Sequence, residues 1–180
     1  MIEVSPQKAK TYDTESDGMW LTEAEKLIPW LFGFGADIGC GMRSPASVCV
    51  RVDVDKRVNP EILARGDKLP FKDGELDFIS SMHSLEHMEE PIKTLKEWLR
   101  CVRKGGIIAI VHPDVDYTHP QKSYTSDEEM KLNPHNRHYF EHNLESFMIW
   151  IRNLMNPEIK IIDSGTACPN WSFYVIIKKQ

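Results

Sequence analysis

The chain has 180 residues, enough for one domain with a sizeable core and too few for a second full catalytic domain. Apolar residues make up 41 % and charged residues 27 %, a balance that excludes a disordered chain and a membrane protein. The formal charge of −5, with the basic pairs Lys56-Arg57, Arg103-Lys104 and Lys178-Lys179 scattered along the chain, argues against a nucleic-acid partner and for a small or neutral one.

The opening segment MIEVSPQKAK has no apolar run of the kind a signal peptide needs, and no stretch approaches the roughly 20 apolar residues of a membrane span, so a soluble, cytoplasmic protein is expected. Residues 1–21 are polar, with Tyr12 and Trp20 at no regular period, and predict an arm. Thr22-Glu23-Ala24-Glu25 reads as a capping box, which predicts a helix starting there with Ala24, Leu27, Ile28 and Leu31 on one face. Pro29 should shorten or kink it, since proline removes an amide donor. Phe34 to Ile38 predicts a strand, followed by a Gly-Cys-Gly turn, and the alternating Val48, Val50, Val52 and Val54 predict a second strand. Ile62 and Leu63 suggest a short third strand, and Leu76 to Ser81 a fourth after the turn-forming Lys72-Asp73-Gly74. Pro91 opens a helix whose buried stripe is Ile92, Leu95, Trp98, Leu99 and Val102, stopped by Lys104-Gly105-Gly106. Ile107 to Val111 predicts a fully buried fifth strand. Residues 113–142, rich in Pro, His and Tyr, predict a lid. Asn143 then caps a helix with Leu144, Phe147, Met148, Ile151 and Leu154, and Ile159–Ile162 with Phe173–Ile177 predict an antiparallel strand pair. Strands alternating with helices imply a mostly parallel α/β sheet with crossover helices. The whole chain, 1–180, is expected to form one domain.

Asp37-Ile38-Gly39-Cys40-Gly41 follows the first strand, where glycines let backbone approach a ligand at the sheet's carboxyl edge. Sixteen residues on, Asp53 ends the second strand, a place from which a carboxylate can take both hydroxyls of a ribose. Asp67-Lys68-Leu69-Pro70-Phe71 then precedes the fourth strand. Each aspartate also has a structural reading: Asp37 as a cap or turn residue, Asp53 as a polar strand end, Asp67 as a turn former. As an ordered set, however, residues 35–112 resemble the class I methyltransferases, in particular the type 11 methyltransferase domain.

The resemblance implies a Rossmann-like α/β fold, mostly parallel with helices on both faces and a C-terminal antiparallel strand pair, and S-adenosylmethionine as methyl donor. It assigns Asp37, Gly39, Cys40 and Gly41 to the methionine and ribose part of that molecule, and Asp53 with Val54 to the ribose hydroxyls. Asp67 and the Lys68 amide would read the adenine, and Ser81, Met82 and His83 would border the methionine end. Two departures stand out. Arg43 occupies the place of a third small residue, and only Met42 to Ser47 fill the gap where the family has a full first crossover helix, so that helix is expected to be reduced to a turn. A subgroup with the same reduction looks like sugar- or polysaccharide-associated methyltransferases, which implies a hydroxyl of a sugar or other small metabolite as acceptor.

His83-Ser84-Leu85-Glu86-His87 also spells H-x-x-E-H, which on a helix would set two imidazoles as zinc ligands with Glu86 as general base, a metallohydrolase alternative in which Glu158 is a conceivable third ligand. The segment directly follows a buried strand and lies just before Pro91, so its helix would have only about two turns. The sequence therefore assigns no metal ligands. Cys40, Cys49, Cys101 and Cys168 lack a C-x-x-C spacing, so neither a zinc knuckle nor a compact disulfide framework is indicated, and a reducing compartment fits. His112, His119, His135, His138 and His142 surround the lid, and Asn133 to Phe140 resembles the lid segment of the same subgroup. Methyl transfer from a sulfonium needs mainly positioning, and a base only if the acceptor must lose a proton. His83, His112 and His138 are the candidate bases, with Asp114 as orienter. A cofactor-binding module without turnover is the third functional class.

Overall fold

The computed structural model describes residues 14–46, 49–117, 138–155 and 157–180. Helix α1 covers Thr14–Leu27, so helix already occupies the last third of the segment expected to be an arm. The expected start at Thr22 is corrected. With helix running through it, the Thr22 hydroxyl is free to donate to the Gly18 carbonyl four residues back, at 2.9 Å, instead of capping an amide. Pro29 acts as expected: α1 ends at Leu27 and the chain tightens into a 3-10 turn, Ile28–Trp30.

Seven strands follow: β1 Gly35–Ile38, β2 Val50–Asp53, β3 Ile62–Leu63, β4 Leu76–Met82, β5 Val102–Pro113, β6 Ile159–Cys168 and β7 Ser172–Lys179. They form one sheet in the order β3-β2-β1-β4-β5-β7-β6. The first five are parallel, and β7 runs antiparallel to both β5 and β6. The chain thus winds outward from β1 in both directions, which leaves a crevice at the carboxyl ends of β1 and β4 where the order reverses. The second strand is shorter than the valine alternation predicts: Val54 lies beyond it, exposed, and Val48 is outside the described residues.

Alternation along the central strands sends side chains to two faces. Ile108, Ile110, Val175 and Ile177 join one apolar cluster, and Ala109, Val111 and Ile176 the other. The first cluster is covered by α2, Pro91–Cys101, and α3, Leu144–Met155. From α2 it takes Leu95, Trp98 and Leu99, with the Trp98 indole N–H donating to the Gly66 carbonyl at 3.0 Å. From α3 it takes Phe147, Ile151 and Met155, four residues apart on one face. Asn143 caps α3 as expected, its side-chain oxygen accepting the Ser146 N–H at 2.9 Å. The smaller cluster is covered by α1 through Leu27.

Helix α2 stops at Cys101, three residues before the predicted glycine stop, which lies inside β5 instead. The cause is distant in sequence. The Lys179 ammonium of β7 donates to the Leu99 and Val102 carbonyls at 2.7 and 2.9 Å, satisfying the helix end and placing a cation at its negative pole. Between β1 and β2, residues 39–46 form turns with no helix among them, as the short spacing predicts.

Candidate functional site

A cleft of about 340 Å³ opens at the carboxyl edge of the sheet. Of the residues singled out in the sequence, Gly39, Asp53, Val54, Asp67, His83, His87 and Tyr139 line it.

Its floor is the turn after β1. Gly39 has φ +69°, a backbone region that glycine enters without penalty, and a Cβ there would come within 1.9 Å of the Ser84 hydroxyl. The Ser84 side chain therefore occupies the space that a side chain at position 39 would need. The Gly39 N–H donates to the Val52 carbonyl at 2.8 Å. The Asp53 carboxylate spans the next step, accepting the Gly41 N–H at 3.0 Å on one oxygen and the Asp55 N–H at 2.8 Å on the other. A carboxylate has about four acceptor sites, so each oxygen retains one for a ligand hydroxyl. Asp37 lies underneath, 2 % exposed, and accepts the Ser80 hydroxyl at 2.7 Å. Burial pushes its carboxyl up to about 7, against the pull of hydrogen bonds from Ser80 and Ser44. Cys40 is buried too, and burial pushes its thiol up, out of the nucleophilic range. Arg43, the departure from a small residue, points its guanidinium over the Trp20 ring of α1 at 5.6 Å.

The Asp67 carboxylate, which the resemblance assigns to the adenine, is already clasped by Arg65 at 2.9 Å and Lys93 at 2.9 Å, which hold it down to about 2. Lys68 is exposed, its N–H turned to the Arg65 carbonyl at 3.1 Å. Ser81 is fully buried with its hydroxyl unpartnered, and Met82 packs toward the α1 side of the sheet. Both stand off the cleft lining.

His83 follows β4 with φ +49°, an uncommon conformation for a residue with a side chain. Its Nε2 meets the Glu23 carboxylate at 2.8 Å, and Glu23 is only 3 % exposed, with the Ser172 hydroxyl donating to the same oxygen. Burial alone would lower the imidazole's pKa, but the Glu23 hydrogen bond and the Glu86 charge outweigh it and hold it above the ordinary value. Glu23 was visible in the sequence only as part of a supposed capping box. Leu85–His87 is a single 3-10 turn, so the helix that H-x-x-E-H chemistry requires is not formed.

His112 is buried at the end of β5 among Phe140, Phe147 and Phe173. Its Nδ1 lies 2.7 Å from the Pro113 carbonyl. A carbonyl only accepts, so Nδ1 carries the proton and Nε2 presents a lone pair, without a hydrogen-bond partner. Burial lowers its pKa, which keeps it neutral. The Pro113 carbonyl, rather than Asp114, orients it; one Asp114 oxygen accepts the Asp116 N–H at 3.0 Å. His138 packs edge-on against His87, ring centres 4.8 Å apart, and burial lowers its pKa to about 4. Asp114 and His142 join the two stems of the predicted lid by a backbone bridge. His119, His135 and residues 133–137 of the lid segment lie outside the described residues.

Residues 35–110 match a family model described as a methyltransferase domain. Uncharacterized protein MJ1123 of Methanocaldococcus jannaschii is 33 % identical over 132 residues, a match spanning 63 % of this chain and 63 % of that relative, just under two thirds of its length. Among solved structures, a SAM-dependent methyltransferase of Thermotoga maritima, described as a possible histamine N-methyltransferase, aligns with a TM-score of 0.61 at 19 % identity, covering 92 % of this chain and 94 % of that one. The PH0226 protein of Pyrococcus horikoshii aligns with a TM-score of 0.69 at 14 % identity, covering 93 % and 92 %. These structures share the fold. Among the described residues, no helix is long and apolar enough to cross a membrane.

Proposed function

We propose that this chain, whose residues 35–110 are a methyltransferase domain of the class I, S-adenosylmethionine-dependent kind, methylates a hydroxyl of a small molecule such as a sugar. The observation that carries the cofactor reading is Asp53: a carboxylate fixed by two backbone amides at the end of β2, facing the cleft with acceptor capacity to spare. The donor, when bound, supplies an electrophilic methyl group on sulfur and leaves without needing a proton.

The residues divide the remaining work. Gly39 lets ligand and backbone approach closely, and Val54 and Val58 offer apolar contact beside Asp53. Asp67, its carboxylate clasped by Arg65 and Lys93, sets the far wall, from which its backbone addresses an adenine amino group. His83, held by Glu23, stands at the β4 end as a hydrogen-bond donor for a carboxylate. His112, fully buried, and His138 do not line the cleft, so neither touches an acceptor held in it, and an acceptor proton is left to pass to solvent. Holding two reactants in register contributes most of the acceleration in such a transfer.

Calorimetric titration of S-adenosylmethionine and S-adenosylhomocysteine tests the cofactor site. Micromolar binding is expected, weakened about 30-fold or more in Asp53→Ala, equivalent to roughly 2 kcal/mol for hydrogen bonds to a charged group. Equal affinity in the variant would remove Asp53 from the site, and no binding to the parent chain would overturn the reading. Release of S-adenosylhomocysteine across a panel of hydroxylated, amine and thiol acceptors then decides the substrate class.

A further inference from the structure

We propose that Glu86, His87 and His138 form a binding site for a divalent first-row transition-metal ion at the β4 end of the cleft. The candidate ligand atoms of the three residues lie within 4.8 Å of one another. Two ligands about 2.1 Å from one ion are at most about 4.2 Å apart, so small side-chain rotations close the set. Two imidazoles and one carboxylate suit Zn²⁺, Fe²⁺, Co²⁺ or Mn²⁺, and leave coordination positions open.

A second observation points to the same ion. Glu86 is 1 % exposed, and its Oε2 has no hydrogen-bond partner among the described residues. Its Oε1 lies 3.8 Å from His83 Nδ1 and 3.8 Å from His87 Nε2, beyond hydrogen-bond range. A buried carboxylate that keeps so little compensation is costly unless something else neutralises it. The backbone is fixed around it: the Tyr139 N–H donates to the Glu86 carbonyl at 2.7 Å, which pins residues 138–139 over the turn and brings His138 against His87. His83 is not a ligand, because its Nε2 is committed to Glu23. The site therefore differs from the H-x-x-E-H reading in both ligand set and geometry.

The chemistry follows from the location, and this part rests on the methyltransferase reading. His87 lines the cleft, so an ion held by this set would lie in its wall, where an acceptor could reach it. A hydroxyl, or two neighbouring hydroxyls, binding there is polarised; its O–H bond breaks and the proton passes to bulk water. The oxygen then forms a bond to the donor's methyl carbon as the carbon–sulfur bond breaks, and the neutral thioether leaves. The ion thus selects oxygen acceptors able to chelate it.

The chelator-treated full chain is titrated with Zn²⁺, Mn²⁺ and Mg²⁺ by calorimetry, and with Co²⁺ by visible absorption. One ion per chain is expected, with Zn²⁺ and Co²⁺ bound at least about a hundredfold more tightly than Mg²⁺, which prefers all-oxygen sites. His87→Asn and His138→Gln should each weaken Zn²⁺ by roughly tenfold or more without moving the unfolding midpoint, while His142→Gln, outside the set, leaves it unchanged. Absence of saturable Zn²⁺ or Co²⁺ binding below millimolar, or binding indifferent to His138→Gln, overturns the site. S-adenosylmethionine affinity in the same samples separates the two readings: metal bound without the sulfonium donor sinks only the methyltransferase assignment, and the converse sinks only the metal.

Discussion

At the β2 end of the cleft, polar groups meet close partners: the Gly41 and Asp55 amides reach Asp53, Gly39 reaches Val52, and Asp67 is held by two cations. At the ends of β4 and β5, Glu86 Oε2 and His112 Nε2 are buried without a hydrogen bond among the described residues. Both ends are built on short connections at the carboxyl edge of the same sheet, so the contrast does not come from the scaffold. Satisfied groups can be kept for rigidity alone. Unsatisfied buried ones destabilise the fold and persist where something outside the chain completes them. The first end holds its polar groups in place before any ligand arrives; the second leaves buried acceptors unmet.

The largest way to break this contrast is at the floor they share. Gly39→Ala places a Cβ on the Ser84 hydroxyl and strains a positive φ, and is expected to cost about 2–4 kcal/mol in urea unfolding and to abolish donor binding. Adding Ser84→Ala should restore part of the stability. Next is Asp37, whose carboxyl is pushed up to about 7 from 3.8 by burial. A raised folded-state pKa means its stabilising, protonated form is fully present below about pH 4 and is lost as pH rises through 7. Relative to Asp37→Asn, the parent chain should therefore lose stability between those limits by up to about 1.4 kcal/mol per pH unit. Urea midpoints of both proteins from pH 4 to 8 check it.

Sharper still is Glu86→Met in metal-free protein. An uncompensated carboxylate is replaced by an apolar chain of similar length, so the unfolding free energy should rise by about 1 kcal/mol, the reverse of an ordinary buried truncation. A fall of that size would mean Glu86 is already well satisfied. The smallest effect belongs to the rim of the β2 end: Lys93→Ala removes one of two exposed partners of Asp67 and should change stability by less than about 0.5 kcal/mol.

The sequence carried the signals that depend on neighbours. Buried apolar runs marked β4 and β5, Asn143 marked the start of α3, and the spacing between Gly41 and Val50 showed that no crossover helix fits. The cleft floor was legible for the same reason, since the glycine turn and Asp53 are local consequences of two strand ends. What depends on distant packing was not. The early start of α1, the Lys179 cap on α2, the clasp on Asp67 and the meeting of His87 with His138 all join residues whose approach only the folded sheet decides. Glu23 is the clearest case. It has the spacing of a capping residue, yet it spends its carboxylate on His83, 60 positions away.

That carboxylate also orders events in time. Glu23 lies in the first helix, His83 follows the fourth strand, and Ser172, 149 positions from Glu23, opens the last strand. A ribosome releases these three in sequence, and the arrangement around His83 closes only when the final hairpin has been delivered and docked beside β5. Until then a nascent chain can bring β1 and β2 together and shape the β2 end of the cleft, but it holds His83 without its full anchorage.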